Sequence, residues 1–416
     1  MNARSREKRV DASSTASAPP VKIEVGLLTG GGDKPYAFGL AMALVSRGVS
    51  LDFIGSDEVD SPELHRSPNL KFLNLRGNQA QDASLAVKIR RVLIYYVRLI
   101  RYAYSARPKI FHILWNNKFQ IFDRTLLMLY YKLLGKKIAF TAHNVNAGKR
   151  DLNDSLLNRF TLRLQYHLAD HIFVHTEKMK SDLLTEFAIG KQVVTVIPFG
   201  INNSVPHTDL SPAQAKRRLG VRDGDRTILF FGHIEPYKGL QFLAEAFRLI
   251  SVRNAVYRLI IVGRLGKGCE KYLEEVQRTI SEAIGQGQVI QKIEYVPDED
   301  VELYFNAADV LVLPYTRVFQ SGVLFLGYSF GLPAIAADVG SLRKDIIEGK
   351  TGFLCRPCDP VDLANSIKVY FESDLFNNLS SRRQEIRDYA NARHSWNVVG
   401  DKTLDVYGEL LTGPLS

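Results

Sequence analysis

The chain has 416 residues, of which 46% are hydrophobic and 24% are charged, and its formal net charge is +10. This length suggests two domains, or three, and the composition is that of an ordinary globular protein, which excludes fibrous and largely disordered classes. The positive charge favours an anionic partner, and nucleic acid, anionic lipid and phosphorylated small molecules all remain open on this basis.

The N-terminal segment and the cysteines give little sign of special chemistry. Residues 1–20 are basic and then rich in Ser, Ala and Pro, without the apolar core of a signal peptide, so we expect a disordered basic tail. No apolar run reaches the roughly 18 residues that a membrane-spanning helix needs. Three cysteines suit a reducing compartment, and the pair Cys355 and Cys358 has CxxC spacing without a second pair or a neighbouring His. We expect chance spacing on a loop, in a cytoplasmic protein.

Short apolar runs alternate with stretches of helical periodicity from Val21 onward, as in "KIEVGLL" followed by "YAFGLAMALVSRG". Continuous apolar strands separated by helices are typical of a parallel sheet covered on both faces. A polar, proline-containing break at 202–226 interrupts the pattern, which then restarts. The sequence therefore predicts an α/β fold with two doubly wound Rossmann-like domains, at 21–205 and 206–390, and a helical stretch at 385–412. The other predicted strands are "LDFIG", "KFLNL", "IFHILW", "KIAFTAHN", "HIFVHT" and "VVTVIPFG" in the first half, and "TILFFG", "YRLIIVG", "IQKIEYV", "DVLVLP", "PAIAADVG" and "GFLCRP" in the second.

A glycine turn follows the first predicted strand, in the stretch "TGGGDKPYAFGLAMAL". Gly30, Gly31 and Gly32 permit backbone conformations closed to other residues, and they expose amide N–H groups just before a helix, which suits an anion. The pattern is not Gly-x-Gly-x-x-Gly, so a dinucleotide fingerprint is not supported. A tight strand-to-helix turn without a ligand is the alternative.

The second half opens with "FFGHIEPYKGLQFLAEAF", in which Gly232 ends a strand and Lys238 precedes an amphipathic helix. A lysine in this position would face a cleft between the domains, where a charge-assisted contact to a diphosphate contributes about 1.5–3 kcal/mol. Arg264 and Lys267 follow the neighbouring strand and strengthen this interpretation. A solvated surface lysine is the alternative.

A third turn lies in "TRVFQSGVLFLGYSFGLP", between two apolar runs. Ser321 can cap the helix, and the N–H groups of Gly322, Val323 and Leu324 would be free at its start. The helix is apolar and therefore expected to be buried, so these amides need an acceptor, and a phosphate would serve. The alternative is a simple Ser cap.

These segments together resemble the retaining, nucleotide-sugar-dependent glycosyltransferases of family 4, which have the GT-B fold. The resemblance runs from about Lys22 to the C-terminus and rests on the order and spacing of the segments. It implies that the N-terminal domain holds the acceptor and the C-terminal domain a nucleoside-diphosphate sugar, with no cofactor and no metal. It also implies that a C-terminal helix, at 391–416, crosses back to the N-terminal domain. The segments are "GGGDKPYAFGLAMALVSRGV", "TAHNV", "IFVHTEKMKSDLL", "VIPFGI", "FFGHIEPYKGLQFLAEAF", "YVPDEDVELYFNAADVLVLPY", "QSGVLFLGYSFGLPAIAADVGSLRKDIIEGKTGFLCRP" and "DPVDLANSI".

The resemblance also assigns roles to single residues. His143 matches the "HN" histidine close to the transferred sugar, and Lys238 matches the lysine that binds the diphosphate, so these two are the expected catalytic residues. Gly31 and Gly32 match the glycine turn near the donor phosphates. The other donor-binding positions that it implies are Gly232, His233, Arg264, Val296, Ser321, Gly322, Val323 and Leu324.

The chain departs from the family pattern at several positions. The family has two glutamates separated by seven residues around the third turn, and Val318 and Leu326 occupy those places here. His233 replaces the usual arginine before the lysine, and Lys344 replaces a usual glutamate. The "QSGV" form looks like a branch of the family. We therefore expect the third turn to bind through its backbone and not through carboxylates.

The resemblance implies a mechanism without a protein nucleophile, in which the donor's own phosphate oxygen accepts the acceptor's proton on the same face of the sugar. The protein then positions the substrates and stabilises charge, through Lys238 with Arg264 or His233. Two alternatives remain: a non-catalytic protein that binds sugar nucleotides or glycans, which the missing glutamates favour, and a GT-B epimerase, for which no convincing carboxylate pair is present. Nucleic-acid binding is disfavoured because the basic residues follow no recognised motif.

Two stretches of the predicted acceptor domain, 88–109 and 124–137, mix basic, aromatic and aliphatic residues. Such a mixture suits an anionic membrane surface, whereas two core helices with charged edges are the alternative. We accordingly expect a glycan or polyprenyl-linked saccharide as acceptor, in cell-surface polysaccharide synthesis, with peripheral attachment to the inner face of the cell membrane. The basic residues of the first stretch are Lys88, Arg90, Arg91, Arg98, Arg101 and Arg107.

Overall fold

The structure is a computed structural model that describes residues 22–31, 34–79, 83–150, 154–201, 205, 208, 210–252 and 254–413. The expected tail at 1–20 and the third glycine of the first turn, Gly32, lie outside the described residues.

The N-terminal half contains a parallel sheet of seven strands in the order β3-β2-β1-β4-β5-β6-β7. Each predicted apolar run of this half contains one of these strands, and most of the strand residues are buried because helices cover both faces. The chain moves outward from β1 in one direction and from β4 in the other, so the topological switch point lies between β1 and β4. The strands are β1 (Glu24–Leu28), β2 (Ser50–Gly55), β3 (Leu70–Asn74), β4 (Ile110–Ile113), β5 (Lys137–Thr141), β6 (His171–Val174) and β7 (Val194–Val196).

The C-terminal half repeats this organisation in a parallel sheet of six strands, in the order β10-β9-β8-β11-β12-β13. Its switch point lies between β8 and β11. In open sheets of this kind ligands bind beyond the carboxyl ends of the strands at the switch point, so each half offers one edge for a site. The predicted fold class, two doubly wound domains, is confirmed. The strands are β8 (Arg226–Phe231), β9 (Tyr257–Val262), β10 (Val289–Lys292), β11 (Val310–Leu313), β12 (Ala334–Ala337) and β13 (Gly352–Cys355).

Helices connect the strands and cover both sheets. Those of the N-terminal half are α1 (Lys34–Val45), α2 (Pro62–Arg66), α3 (Leu85–Ser105), α4 (Gln120–Phe122), α5 (Met128–Leu133), α6 (Ala147–Arg150), α7 (Leu156–Leu168) and α8 (Glu177–Glu186), with a π-helical segment at Asp123–Leu127. Those of the C-terminal half are α9 (Pro212–Arg218), α10 (Leu240–Ser251), α11 (Glu270–Thr279), α12 (Ser281–Gly285), α13 (Asp298–Ala307), α14 (Gly322–Ser329), α15 (Leu342–Asp345), α16 (Pro360–Glu372), α17 (Asp374–Asn377), α18 (Leu379–His394) and α19 (Trp396–Thr412). Single 3₁₀ turns occur at Asp57–Val59, Lys191–Val193 and Pro236–Lys238.

The prediction of one helical stretch at 385–412 is wrong in one respect, because the helix breaks at Ser395. The hydroxyl of Ser395 accepts a hydrogen bond from the Val398 N–H and so caps the N-terminus of α19. Helix α18 packs on α14 of the C-terminal half, whereas α19 packs on α1 of the N-terminal half. The chain therefore crosses between the domains at this break.

Helix α19 is fixed to the N-terminal domain by polar contacts and by one large aromatic side chain. The Arg47 Nε donates to the Asp401 carboxylate at 2.6 Å, and the hydroxyl of Tyr407 lies 2.6 Å from the Nδ1 of the buried His112 on β4. The indole of Trp396 lies against Gly39 and Gly200. A Cβ placed on Gly39 would be 2.0 Å from the indole, and one placed on Gly200 would be 2.4 Å from it. Glycine is therefore needed at both positions for the helix to dock as it does.

The two residues of the CxxC pair differ in their surroundings. Cys355 at the end of β13 is buried, and burial raises the pKa of its thiol to about 12, while Cys358 is exposed. A thiol with this pKa is a poor nucleophile and a poor metal ligand at neutral pH.

Candidate active site

Lys238 lies in the turn that follows β8, at the switch point of the C-terminal sheet. It ends the 3₁₀ turn Pro236–Lys238, and Gly239, at φ 71°, leads directly into α10. A Cβ on Gly239 would lie 1.9 Å from the Pro314 carbonyl oxygen, so only glycine allows the turn to approach the end of β11 this closely.

The ammonium group of Lys238 points back under the end of β8. The residue is 9% exposed, and its Nζ lies 5.6 Å from the ring centroid of Tyr315 and 2.7 Å from where a Cβ on Gly232 would be. Burial lowers the pKa of this ammonium, with Tyr237 and Glu235 offsetting part of the effect. No carboxylate in the described part of the chain forms an ion pair with it. A buried cation without a partner is costly, so the site is suited to an anionic ligand.

Two further groups from the predicted donor site lie near this lysine at the strand ends. Partial burial lowers the pKa of His233, and Lys238 and Arg264 lower it further. Both His233 and Arg264 are exposed. They lie at the open edge of the site, where they can add positive potential but are largely solvated. Val296 is placed differently: its side chain belongs to the apolar core and is 8% exposed.

Helix α14 begins beside the same turn. Its N-terminal cap corrects the prediction that the amides of Gly322, Val323 and Leu324 are all free. The hydroxyl of Ser321 accepts a hydrogen bond from the Leu324 N–H at 3.3 Å, so this amide is not free, and Leu324 itself is fully buried. The amides of Gly322 and Val323 have no acceptor within the described residues. Gly322 is exposed and Val323 is half-buried, so these two N–H groups remain as donors for a ligand.

Gln320 also belongs to this turn, although the sequence analysis did not single it out. Its Oε1 atom is buried and has no hydrogen-bond partner in the described structure. It lies just before the cap residue Ser321 and two residues after Val318, one of the positions where the family has a glutamate. The polar residue that opens the "QSGV" stretch was the signal that could have identified it.

His143 follows β5 in the opposite domain and is held by three neighbours. Its ring stacks on the Trp115 indole at 4.2 Å between centroids, and the Tyr36 ring meets it edge-on at 4.7 Å. Its Nδ1 lies 3.0 Å from the Nε2 of His175. Both Trp115 and His175 follow strands of the same sheet, and this position after a strand was the signal that could have identified them.

The hydrogen bonds of this pair determine which nitrogen of His143 is available. The Nδ1 of His175 faces the Ile197 carbonyl oxygen at 3.3 Å, and since a carbonyl only accepts, this nitrogen carries the proton. Burial lowers the pKa of His175 to about 4, so its Nε2 is a bare acceptor and the His143 Nδ1 donates to it. Burial also holds the pKa of His143 well below its usual range, with His175 and His112 contributing. The remaining nitrogen, Nε2, is then an unprotonated acceptor, and it has no partner in the described structure.

The first glycine turn encloses a residue that the sequence analysis missed. Gly31, at φ 76°, lies so close to Arg76 that a Cβ on it would be 2.1 Å from the Arg76 Nη1. Arg76 follows β3 in "NLRGN", so it too lies at the carboxyl edge of the sheet. It is 9% exposed, its guanidinium lies 5.0 Å over the Tyr95 ring, and its Nη1 is buried without a partner.

The two edges face each other across a cleft. One cavity of about 290 Å³ is lined by Tyr36 and Phe199 from the N-terminal half and by Gly322, Val323 and Leu326 from the C-terminal half. A second, of about 540 Å³, lies between Asn146 on one side and Val318 and Lys344 on the other. His143 contacts the Tyr36 ring and Lys238 lies near Gly232 and Val323, so both lie behind residues that line or adjoin the smaller cavity, while the places of the family's two glutamates are apolar.

Comparison with known proteins agrees with this architecture. Residues 30–205 match the family Glycosyltransferase Family 4, and residues 225–373 match Glycosyl transferases group 1. Among solved structures, the chain is similar to sucrose-phosphate synthase from Thermosynechococcus elongatus, with a TM-score of 0.75 and 17% identity over 94% of this chain and 99% of that one. It is also similar to HepE from Anabaena, solved in complex with UDP and glucose, with a TM-score of 0.72 and 15% identity over 93% of this chain and all of that one.

Curated relatives carry one recurring name. The chain is 27% identical to the D-inositol 3-phosphate glycosyltransferase of Corynebacterium urealyticum, over 59% of this chain and 58% of the relative. It is 22% identical to the enzyme of the same name from Corynebacterium glutamicum, over 83% and 84% of the two chains.

The fold and the facing switch points define a GT-B protein. Its two halves match two different family models, with a Glycosyltransferase Family 4 domain at 30–205 followed by a Glycosyl transferases group 1 domain at 225–373.

Proposed function

We propose that this protein is a retaining glycosyltransferase that moves a sugar from a nucleoside-diphosphate sugar to a glycan or lipid-linked saccharide, in cell-surface polysaccharide synthesis. The observation that carries the proposal is the buried, unpaired ammonium of Lys238 between the turn after β8 and the free amides of α14. A cation and two helix N-terminal amides form a site for a diphosphate. HepE, which shares the fold, was solved with UDP-glucose, which supports a donor of this type.

The proposed transfer keeps the configuration of the sugar and uses no protein nucleophile. The bond between the sugar C1 and the diphosphate oxygen breaks, and the acceptor oxygen forms a bond to C1 on the same face. The acceptor's proton passes to the departing phosphate oxygen, so atoms and charges balance. Lys238 and the amides of Gly322 and Val323 stabilise the charge that develops on the diphosphate, which is the role that a metal ion has in other transferases.

His143 is proposed to hold the transferred sugar from the other side of the cleft. Its neutral Nε2 accepts, so its natural partner is a hydroxyl group of the sugar and not a phosphate. The rings of Trp115 and Tyr36 fix the orientation of the imidazole, so little reorganisation is needed when the sugar binds.

One observation favours a second function, a sugar-nucleotide-binding protein without transferase activity. Val318 and Leu326 cannot contact sugar or ribose hydroxyls as the family's glutamates do. Gln320, with its unpartnered Oε1 beside this position, supplies one acceptor in their absence. The two functions make the same prediction for donor binding and differ only in whether the sugar is transferred.

The test combines calorimetry with product analysis on the purified protein. We expect binding to at least one member of a panel of nucleoside diphosphates and their sugars, and slow donor hydrolysis that rises when a lipid-linked saccharide extract is added. NMR of the product should show the donor's anomeric configuration, with or without EDTA. Binding without any turnover would favour the second function, an inverted product would contradict the retaining mechanism, and absence of nucleotide binding would refute both functions.

The proposed membrane attachment rests on helix α3. Its residues Leu85, Leu93, Val97 and Tyr104 are each more than half exposed, although they are apolar or aromatic. The helix has no acidic residue, and Arg90, Arg98 and Arg101 on it are exposed. A shallow groove of about 930 Å³ runs along it between Leu93, Tyr104 and Tyr130. An anionic bilayer is the partner that matches both the apolar residues and the bases.

The structure corrects the expected set of outward-facing bases in one place. Arg91 is half-buried and lines a small hollow with Arg76 and Tyr95, so it is not part of the exposed surface. None of the helices in the described ranges is long and apolar enough to cross a membrane. Attachment by the surface of α3 is therefore the form of membrane contact that we propose.

Replacing Arg90, Arg98 and Arg101 with Gln should release the protein from anionic vesicles. Each base near an anionic surface contributes about 1 kcal/mol, so the three together correspond to roughly a hundredfold in vesicle affinity, fading with salt. The matched control is Arg217, Lys271 and Arg278 to Gln, three exposed bases of the C-terminal domain. Vesicle co-sedimentation measures the effect. Wild-type protein that ignores anionic vesicles at low salt would refute the attachment.

A further inference from the structure

We propose that Phe199 is a positioning residue, which holds the imidazole of His143 and the start of α14 at a fixed separation. The proposal rests on the function proposed above, because it explains how that cleft aligns the sugar with the diphosphate. Phe199 lies in the segment that joins β7 to α9, where the chain first crosses between the two halves. Neither the donor site at Lys238 nor the family resemblance gives this aromatic side chain a role.

The ring of Phe199 packs against the hydrophobic cores of both halves. It is half-buried, and it borders the core of the C-terminal sheet as well as the core between the N-terminal sheet and α1. It stacks on the Phe325 ring of α14, with 6.0 Å between the centroids. A Cβ placed on Gly322, the first residue of α14, would lie 3.7 Å from this ring. Phe199 therefore contacts the turn whose amides are proposed to bind the diphosphate.

On its other side the same ring contacts the aromatic group around His143. Its centroid lies 5.2 Å from that of Tyr36, 5.1 Å from that of His175 and 6.3 Å from that of His143. The Tyr36 ring meets the imidazole edge-on, and His175 accepts its hydrogen bond. Phe199 thus packs on two of the three neighbours that orient the imidazole, as well as on the imidazole itself.

The backbone of Phe199 is fixed by the second crossing of the chain. The His394 Nδ1 donates to the Phe199 carbonyl at 3.1 Å, since a carbonyl only accepts. The Ile201 N–H donates in turn to the His394 carbonyl at 2.8 Å. The break at Ser395, where the chain returns to the N-terminal half, follows directly. Both connections between the halves therefore hold the residue whose ring lies between the two binding groups.

The ring borders the cleft and does more than fill a core. Together with Tyr36, Gly322 and Val323 it lines the cavity of about 290 Å³ between the halves. A smaller side chain at this position would loosen the contact between the two binding groups, and it would leave the rest of each domain packed. Misplacing a reacting group by about 1 Å can lower a rate roughly 100-fold, so a loss of alignment should be visible in kcat.

The test compares Phe199→Leu with a matched control, Phe353→Leu. Phe353 on β13 is also half-buried and packs against the core of the C-terminal half, but it is not among the residues that line the two cleft cavities. Both variants lose a ring of the same size, so their thermal unfolding temperatures should fall by similar amounts. Only Phe199→Leu should lower kcat, by roughly 10-fold to 100-fold, with UDP affinity within about twofold of the wild type. Phe199→Met keeps more of the apolar volume and replaces Phe199→Leu if that variant does not fold.

A double-mutant cycle with His143→Ala gives the deciding comparison. If Phe199 acts through the imidazole, Phe199→Leu should lower the kcat of the His143→Ala protein by less than about twofold, because the group that it positions is already absent. Losses that multiply would overturn the proposal, and so would a wild-type kcat in Phe199→Leu. Equal losses of kcat and UDP affinity would show that Phe199 supports the donor site alone, and they would overturn it as well.

A readout that needs no turnover separates this inference from the proposed function. The imidazole NMR signals of His143, assigned from their loss in His143→Gln, should shift when UDP binds to the wild type or to Phe353→Leu. They should not shift in Phe199→Leu. UDP binding that leaves these signals unchanged in the wild type would overturn the coupling and leave donor binding intact. Failure to bind any nucleoside diphosphate would refute the proposed function, and the coupling with it.

Discussion

Replacing Lys238 with alanine is expected to weaken nucleoside-diphosphate binding by about 1.5–3 kcal/mol, which is roughly 10-fold to 150-fold in Kd. The ammonium is the buried cation of the C-terminal switch point, and the free amides of Gly322 and Val323 are too few to replace it. The fall in kcat should be larger, about 10²–10³-fold, because the charge on the leaving diphosphate grows as the sugar bond breaks. Calorimetry with UDP and initial rates of donor hydrolysis measure the two effects.

The stability of the unliganded Lys238→Ala protein provides an independent check. A buried ammonium without an ion pair destabilises the folded state, so the variant should unfold at an equal or higher urea concentration than the wild type. Lys271→Ala on α11 removes an exposed lysine and should change neither stability nor UDP affinity. If Lys238→Ala binds every nucleotide as the wild type does, the donor site is not at this turn.

Replacing His143 with alanine is expected to lower kcat by about 10²-fold while UDP affinity stays within about twofold. The imidazole lies across the cleft from the diphosphate site, and its free Nε2 suits a sugar hydroxyl. His143→Gln retains an acceptor and should recover part of the rate. Steady-state kinetics with the full donor and calorimetry with UDP alone separate the two effects, and an equal loss in both would move His143 to the nucleotide.

The pH dependence of the rate tests the protonation state of His143. Because burial holds the pKa of this imidazole well below its usual value of 6.5, it stays neutral as the pH falls from 8 to 6. In a plot of kcat against pH, the wild type should therefore show no titration step near pH 6.5 that depends on His143. The profiles of the wild type and of His143→Gln should have the same shape in this range. Such a step would show that His143 titrates as an exposed histidine does, and it would contradict the hydrogen-bond chain through His175.

Much of the candidate donor site could be predicted because it depends on residues that are close in sequence. The turn that carries Lys238 is bounded by Pro236 and Gly239, and both residues restrict the local backbone in ways that do not depend on the rest of the fold. The Ser321 cap is likewise local, and its hydrogen bond to the Leu324 amide is the alternative that the sequence left open. Local chemistry alone did not decide between a Ser cap and a bound phosphate, since either one supplies an acceptor for the amides at the start of the helix.

The sequence by itself predicted the places of the strands and the class of the fold, because short continuous apolar runs that alternate with helical stretches are typical of a parallel sheet covered on both faces. Only the tertiary structure decided which residues meet at the strand ends. Arg76 reaches Gly31 because β3 and β1 end at the same edge of one sheet, and His175 reaches His143 because β5 and β6 are neighbours. The break at Ser395, where the chain crosses to place Trp396 against Gly39 and Gly200, likewise depends on the fit of distant surfaces. Strand order and surface fit are properties of the whole packed chain, so no local pattern of residues contains them.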